Sequence, residues 1–327
     1  MIEIVYPGPL ATVQDLGRSG AQIYGVPTGG AMDMFAIQVA NLLVGNSPNA
    51  AAIELTASGE LRFLAPTIFA LAGADLAATL DGRPAPIWSA AYAPTGAQLR
   101  LAGRRGSWGA RAYLALAGGI DVPLVLGARG TSLVGGFGGH NGRPLARGDQ
   151  LSGQAAGPIT PELLARHWPA AHRPPYHAAA TLRLLPGPHL GLLEPAALAT
   201  LLASEYYVSA TANRQGYRLE GPRLSHAGQA SIASLGVVPG VIQIPPDGQP
   251  ILLMADAQTT GGYPIVGCVI SADLPLAAQL LPGDRLRFAE LSIDEALSAR
   301  AQLHSWLAAG VAYDQTVLSL ALMGTLG

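Results

Sequence analysis

The sequence predicts a mainly β protein with a few attached helices, and three observations support this fold class. Most apolar runs are short and are bounded by glycine or proline, which is typical of strands. The 41 glycines and 26 prolines make up about a fifth of the chain, well above average usage. Strands outnumber helical segments without regular helical crossovers between them, which disfavours a doubly wound parallel sheet and favours a barrel or a sandwich.

Strands are expected at the short apolar runs and helices at four places. A helix is expected over Asp33–Gly45, because its first residue can cap it and its last can end it. A second helix follows Pro195, and a short one starts at Thr160–Pro161. Ser292, with Glu295 three residues later, is a capping-box pattern that starts the last helix. The strand runs are Ile2–Tyr6, Thr67–Ala72, Tyr113–Ala117, Leu182–Leu185, Val241–Ile244 and Ile251–Met254.

The chain is expected to contain two β-rich parts. Positions 153–180 hold five prolines and three histidines, which is typical of a connection. The apolar end of the chain is expected to pack on the second part or on a partner, because a free tail of this composition would aggregate. The predicted divisions are an N-terminal β-rich part over 1–155, a Pro-rich connection over 156–180, a C-terminal β-rich part over 181–290, and a helix with an apolar tail over 291–327.

A four-residue echo occurs once in each β-rich part. Gly148–Leu151 reads GDQL and Gly283–Leu286 reads GDRL. Two interpretations remain open at this point. The two parts are related halves, or the echo is a pair of similar turns that enter strands.

Charge and composition exclude several classes of function. All 19 basic residues are arginine, and the formal net charge is -2. Without lysine the chain has no Schiff-base lysine, no Walker-type phosphate lysine and no biotinylated lysine. Near-neutral charge argues against a nucleic-acid or anionic-membrane surface, because both need a basic excess.

The same sequence predicts a cytoplasmic location. The single cysteine, Cys268, cannot form an internal disulfide, so nothing requires an oxidising compartment. The first residues show no secretory signal. The longest stretch without Asp, Glu or Arg, positions 224–246, contains three prolines, which disfavours a membrane helix.

Standard catalytic and metal motifs are absent from the sequence. It contains no Gly-x-Gly-x-x-Gly, no Gly-x-Ser-x-Gly, no His-Glu-x-x-His and no Cys-x-x-Cys. His167, His172 and His177 are spaced by five residues in the Pro-rich segment. We interpret them as linker histidines and predict no metal site.

Polar residues embedded in glycine and proline turns form three clusters, of which the first lies over positions 12–33. Asp15 and Arg18 either pair with each other to fix a loop or each hold a polar ligand atom. Gly29 and Gly30 lead into a helix whose N-terminus suits an anion, but for Asp33 itself we favour the role of an ordinary helix cap. The candidate residues of this cluster are Asp15, Arg18, Gly29, Gly30 and Asp33.

The second cluster lies over Asn213–Gly221. Arg214 and Arg218 are an even number of positions apart, so on a strand they would point to the same side. Two guanidinium groups on one face suit a carboxylate or a carbamate. The alternative is a solvated strand edge on which Arg218 pairs with Glu220.

The third cluster, Gln243–Pro250 with Asp256–Pro264, is the densest in polar side chains. Consecutive glycines let a backbone approach a ligand, and turn N–H groups can hold an anion. Glutamine and threonine bind without charge, which suits a neutral amide or a lactam. A partner contact or a purely structural loop remains an alternative.

These clusters lie within eight motifs that resemble a known family. The motifs are TVQDLGR (Thr12–Arg18), GVPTGGAMD (Gly25–Asp33), NLLVGN (Asn41–Asn46), GGIDVPLVLG (Gly118–Gly127), NRQGYRLEG (Asn213–Gly221), VIQIPPDGQP (Val241–Pro250), DAQTTGGYP (Asp256–Pro264) and PGDRLRF (Pro282–Phe288). The chain resembles the KipA-type family, which includes the C subunit of 5-oxoprolinase, the second component of allophanate hydrolase and biotin-dependent carboxyltransferase-like domains.

This resemblance implies a cyclophilin-like β-barrel in a two-part, β-rich chain. It implies one component of a 5-oxoprolinase complex, in which a KipI-type B subunit and an A subunit are its partners. The complex would cleave 5-oxo-L-proline to L-glutamate with ATP, and this chain would itself bind no cofactor. One alternative is a carboxyltransferase component for urea or a similar amide, with biotin on another chain. Another is a non-catalytic binder of a KipI-type regulator.

The resemblance and the cluster chemistry together give expected roles. The family usually has a basic residue after Gly-Gly-Tyr-Pro, where this chain has Ile265, and Arg129 or Arg214 is a candidate substitute. The expected catalytic residues, which would orient a lactam, are Asp256, Gln258, Thr259 and Tyr263. The expected substrate-binding residues are Arg129, Arg214, Arg218, Gln243, Gln249, Thr260, Gly261 and Gly262.

Overall fold

The structure, a computed structural model, describes residues 1–106, 109–153, 157–176 and 179–322. Their contacts divide the chain into two units. The N-terminal unit consists of Met1–Gly17, Asp33–Pro174 and the chain from Trp306 onward. The barrel unit consists of Arg18–Met32 and Pro175–Ser305. This division differs from the predicted one mainly at Arg18–Met32, which belongs to the barrel unit.

Two antiparallel sheets form the N-terminal unit. Its strands are β1 (Ile2–Tyr6), β2 (Leu10–Gln14), β3 (Ala52–Thr56), β4 (Gly59–Phe63), β5 (Thr67–Gly73), β6 (Ala78–Leu80), β7 (Arg83–Pro84), β8 (Ser89–Ala93), β9 (Gln98–Leu101), β10 (Arg111–Leu116), β11 (Gln150–Leu151), β12 (Arg166–His167) and β22 (Ala312–Tyr313). One sheet has the order β11-β1-β4-β9-β6-β7, and the other has the order β2-β3-β10-β5-β8-β12-β22. Along β1, Ile2 and Ile4 are buried while Glu3 between them is partly exposed, as the alternation of a strand requires.

A closed barrel forms the core of the barrel unit. Its strands run in the order β13-β20-β17-β18-β15-β14-β21, and β21 pairs in parallel with β13 to close the ring. Closure leaves no free sheet edge in the barrel and confirms the predicted mainly β fold. The strands of this unit are β13 (Ala179–Pro186), β14 (Glu205–Val208), β15 (Gly216–Glu220), β16 (Leu235–Gly236), β17 (Val241–Gln243), β18 (Ile251–Leu253), β19 (Thr260–Gly261), β20 (Ile265–Val269) and β21 (Arg285–Glu290).

Two helices begin where their capping residues predict. Asp33 accepts a hydrogen bond from the backbone N–H of Ala36, and Gly45 has φ +81° just beyond the helix. The Ser292 and Glu295 side chains bond each other's backbone N–H groups, which confirms the capping box. The helices are α1 (Met34–Leu43), α2 (Pro161–Leu164), α3 (Ala197–Ala203), α4 (Leu274–Ala277), α5 (Ile293–Ala309) and α6 (Gln315–Leu322).

The two GDxL segments have the same turn geometry. Asp149 accepts from the N–H of Ala146 at 2.7 Å, and Asp284 accepts from the N–H of Leu281 at 2.8 Å. The glycine before each aspartate has φ +87°. Each turn leads into a strand, β11 in one unit and β21 in the other. The echo is therefore a repeated strand-entry turn, whichever origin it has.

The predicted connection is largely folded into the N-terminal unit. It contains α2 and β12, and Trp168 is fully buried with its indole N–H donating to the carbonyl of His172. His167 lies in β12, His172 stacks on Trp306, and His177 lies outside the described residues. The tail was expected to pack on the barrel or on a partner, and its described part instead pairs with the N-terminal unit through β22 and β12. A contact of the tail with a partner stays a prediction.

Within the described residues, no helix has the length and apolar character needed to cross a bilayer. No group of three or more His, Cys, Asp or Glu side chains is arranged to hold a metal ion within the same residues.

Candidate functional site

One cavity of the barrel unit brings together polar side chains from the second and third clusters. It has a volume of about 180 Å³ and opens between β15, β17 and β18 and the turns beside them. We call it the amide cavity. Its lining residues are Thr211, Asn213, Gln215, Gly216, Arg218, Gln243, Ile251, Leu253, Gln258 and Tyr263.

Gln243 is the buried polar group of the amide cavity. It ends β17, is only 2% exposed, and its Oε1 accepts from the Nε2 of Gln258 at 3.3 Å. Its own Nε2 has no hydrogen-bond partner in the described part of the chain. An unsatisfied buried donor costs about 1–3 kcal/mol, so a ligand acceptor placed there would recover that free energy.

Arg218 supplies the positive charge of the amide cavity. It lies in β15 with its side chain on the exposed side of the strand. No carboxylate of the described residues forms an ion pair with it, so the alternative Arg218–Glu220 pair does not occur there. A guanidinium in this state can bind a carboxylate through two parallel hydrogen bonds.

The prediction that Arg214 and Arg218 share one face of a strand is wrong. The strand begins at Gly216, so Arg214 lies in the turn before it and is 3% exposed. Its Nε donates to Asp256 Oδ2 at 2.9 Å and its Nη2 to Asp256 Oδ1 at 3.1 Å. The same Nη2 also donates to the carbonyl of Gly30. Arg214 and Asp256 are thus a buried ion pair, and neither lines the cavity.

The first cluster is divided between the two units. Arg18, Gly29 and Gly30 belong to the barrel unit, where the N–H of Gly29 donates to the carbonyl of Ala255. A Cβ at Gly29 would lie 3.6 Å from Arg18 Nη1 and from Asp256 Oδ1. Gly29 and the Arg18 guanidinium therefore lie beside the Arg214–Asp256 pair.

Asp15 and Asp33 belong to the N-terminal unit. Asp15 accepts from the backbone N–H groups of Gly17 and Arg129. Asp33 caps α1, and its own N–H donates to the hydroxyl of Tyr113, whose pKa is raised well above its usual value by burial. Both aspartates serve the local backbone, and their candidate binding roles stay predictions.

The remaining candidates lie outside the lining of the amide cavity. Arg129, in the N-terminal unit, donates its guanidinium to the carbonyl of Val122. Gln249 uses both amide atoms on the backbone of Gly221. Thr259, Thr260, Gly261 and Gly262 lie in or beside the short β16–β19 ribbon.

Gly261 nevertheless touches the cavity through Gln243. A Cβ built on Gly261 would lie 2.4 Å from Gln243 Nε2. Glycine is therefore required here for close approach rather than for turn geometry. The roles expected for Thr259, Thr260 and Gly262 stay predictions.

The position of the family's usual basic residue is apolar in the structure as well as in the sequence. Ile265 begins β20, is 5% exposed, and packs in a small core with Val241 and Leu253. A long basic side chain would have to leave this core. The charge of the neighbouring cavity comes from Arg218 instead.

Thr211, Asn213 and Gln215 also line the cavity, although none of the three was a predicted site residue and only Asn213 and Gln215 lie in the second cluster. Asn213 Oδ1 accepts from the N–H of Gln215 at 2.8 Å, which forms an Asx turn before β15. Asparagine just ahead of a strand was the available signal for this turn.

A comparison with family models identifies the class of protein. The carboxyltransferase domain model, subdomains A and B, matches residues 24–290, which is most of the chain. The chain therefore belongs to the carboxyltransferase domain family.

Individual proteins of known name are similar to this chain over most of its length. The chain is 41% identical to the C subunit of 5-oxoprolinase from Escherichia coli, over 92% of this chain and 94% of that protein. It is 35% identical to the C subunit of 5-oxoprolinase from Haemophilus influenzae, with the same coverage. The crystal structure of K. lactis urea amidolyase matches 93% of this chain with a TM-score of 0.85 and 29% identity, but this chain spans only 20% of that larger protein.

Proposed function

We propose that this chain is the lactam-binding subunit of an ATP-dependent 5-oxoprolinase that opens 5-oxo-L-proline to L-glutamate. One observation carries the proposal. Within the described residues, a buried amide donor without a partner, on Gln243, and an arginine without a carboxylate partner, Arg218, line the same small cavity. A lactam that carries one carboxylate has an acceptor for the first and an anion for the second.

The proposed binding mode follows from these two groups. Gln243 Nε2 donates to the lactam carbonyl, which satisfies a donor that is otherwise buried without a partner among the described residues. Arg218 binds the carboxylate. Gln258 holds the Gln243 amide through its 3.3 Å hydrogen bond, and Tyr263 closes the cavity wall.

ATP use is assigned to companion chains, because this lysine-free sequence carries no phosphate-binding loop. The expected companions are a KipI-type B subunit and an A subunit, and similarity to two proteins named as subunits supports an assembly. We place the assembly in the cytoplasm.

A second candidate function is carboxyl transfer to a urea-like amide, with biotin on another chain. The structural match to urea amidolyase supports it. Urea has no carboxylate and would leave Arg218 without a partner, which favours the lactam. The third candidate, a non-catalytic binder of a KipI-type regulator, gains no specific support from the cavity.

Reconstitution of the purified chain with its companion subunits tests the proposal. We expect ATP hydrolysis that depends on 5-oxo-L-proline, glutamate formation, and no effect of avidin. Activity that avidin abolishes and urea stimulates would favour carboxyl transfer. A stable assembly without either activity would favour the regulator.

A further inference from the structure

Arg214 and Asp256 form a buried ion pair, and residues next to them in the sequence line the amide cavity. Two side-chain hydrogen bonds of 2.9 and 3.1 Å join them, and the backbone N–H of Asp256 donates to the carbonyl of Arg214 at 2.9 Å. Both residues are 3% exposed. A bidentate pair of this kind fixes orientation as well as distance.

The neighbours of this pair in the sequence are the walls of the cavity. Asn213 and Gln215 flank Arg214, and Gln258 follows Asp256 by two residues. The N–H of Met254 donates to the carbonyl of Gln215 at 3.0 Å, so the two segments are also joined beside the ion pair. A shift of either charged side chain would therefore move a cavity wall.

A third segment is attached to the same pair. Arg214 donates to the carbonyl of Gly30, and the N–H of Gly29 donates to the carbonyl of Ala255, next to Asp256. Both glycines have positive φ, 62° and 84°. The segment Arg18–Met32 is thus hydrogen-bonded to the barrel unit at Arg214 and at Ala255, next to Asp256.

We propose that Arg214 and Asp256 are positioning residues, whose ion pair holds the two walls of the amide cavity at the spacing that the ligand requires without contacting the ligand. This rests on the proposed function for the identity of the ligand. It replaces the expected roles of Arg214 as a carboxylate anchor and of Asp256 as a catalytic group.

The binding test compares two ligands on the assembled complex, 5-oxo-L-proline and 2-pyrrolidinone, the same lactam without the carboxylate. For Arg214→Gln and for Asp256→Asn we expect the Kd values of both ligands to rise by the same factor, about tenfold or more. Arg218→Gln is the reference, because it should weaken the binding of 5-oxo-L-proline and leave the binding of 2-pyrrolidinone unchanged. If Arg214→Gln also weakened the binding of 5-oxo-L-proline alone, Arg214 would be a carboxylate anchor and the proposal would be wrong.

The double variant Arg214→Gln/Asp256→Asn measures the coupling. Each single change breaks the Arg214–Asp256 ion pair and keeps one of its two charges buried, whereas the double change removes both charges of the pair. We expect the double variant to bind 5-oxo-L-proline more tightly than either single variant. Losses that simply multiply would contradict a shared positioning role.

Hydrogen exchange separates failure of this inference from failure of the proposed function. If the wild-type complex binds neither ligand, the lactam assignment is wrong. In that case, and also if only 2-pyrrolidinone fails to bind, hydrogen exchange alone decides the role of the ion pair. We expect faster exchange at the backbone amides of Met254 and Asp256 in both single variants and recovery in the double variant. Unchanged exchange in the single variants would overturn the positioning role.

Discussion

At the scale of single residues, the amide cavity depends on a buried donor that has no partner among the described residues. Most buried polar groups have a hydrogen-bond partner, and we propose that a ligand acceptor is the partner of this 2% exposed glutamine's Nε2. The sequence predicted Gln243, Gln258, Arg218 and Tyr263 as site residues, and the structure places these four around one cavity. Their chemical roles stay predictions.

The burial of Arg214 could not be predicted from the sequence. An even spacing implies a shared face only if both arginines lie in one strand, and the strand start at Gly216 is set by pairing with Leu253. That pairing depends on residues far along the chain. Local patterns carry no information about it.

The glycine beside Gln243 gives a prediction at this scale. Replacing Gly261 with alanine would place a Cβ 2.4 Å from Gln243 Nε2 and force the amide aside. We expect Gly261→Ala to raise the KM for 5-oxo-L-proline about tenfold or more, measured by steady-state kinetics of the complex. Gly236→Ala, in the same β16–β19 ribbon, is the control, because its Cβ would meet no atom within 4 Å. Equal effects of the two changes would count against the role of Gln243.

At the scale of elements, turns and caps show how much local sequence determines. The GDxL turns, the Asp33 cap and the Ser292 capping box all form as their side chains predict. Each needs only hydrogen bonds within a few residues, so neighbouring sequence is sufficient to specify it.

The GDQL turn predicts a pH-dependent stability. Arg143 holds the pKa of the Asp149 carboxyl down at about 2, against an ordinary value of 3.8. Because the folded pKa is the lower one, the stabilisation is complete above pH 4 and is lost as the pH falls toward 2. We expect Asp149→Asn to lower the free energy of unfolding by about 1–2 kcal/mol at pH 7. This value is smaller than the pKa shift alone implies, because solvent screens the half-exposed Arg143.

Urea unfolding between pH 3 and pH 7 measures this effect. The difference between wild type and Asp149→Asn should shrink as the pH falls below 4. Arg143→Gln should show the same trend, whereas Arg147→Gln, at an exposed position nearby, should not. A difference that does not vary with pH would remove the ion pair from the explanation.

The capping box of α5 predicts a second effect on stability. Ser292 Oγ accepts from the N–H of Glu295 at 3.3 Å, and Glu295 accepts from the N–H of Ser292 at 2.8 Å. We expect Ser292→Ala to cost about 1 kcal/mol of unfolding free energy in thermal or urea unfolding. Ser298→Ala, exposed in the same helix, should be close to neutral. A larger loss for Ser298→Ala would show that the cap is not the cause.

At the scale of the whole molecule, the mainly β fold and the barrel were predictable, while the division of the chain was not. Short apolar runs bounded by glycine and proline predicted β1, β5, β10, β13, β17 and β18, with the core of each strand inside the predicted run. The membership of Arg18–Met32 in the barrel unit depends on hydrogen bonds to Ala255 and Arg214, and the second of these residues is 184 positions from Gly30. Composition cannot reveal such a connection.

The Pro-rich connection shows the same limit. Prolines and histidines predicted a linker, yet β12 pairs with β8 and β22, and Trp168 is buried. A strand of two residues gains its stability from partners that lie far along the chain. Its own residues therefore carry no periodic signal.

The KM of the reconstituted complex for 5-oxo-L-proline, compared between Arg218→Gln and Arg285→Gln, tests the central claim most directly. Arg285 is also an exposed arginine of a barrel strand, but it lies outside the amide cavity. We predict a rise in KM of about 10- to 100-fold for Arg218→Gln, because one charge-assisted contact is lost, and a near wild-type KM for Arg285→Gln. Equal KM values for the two variants would contradict the claim that this cavity binds the carboxylate of the lactam.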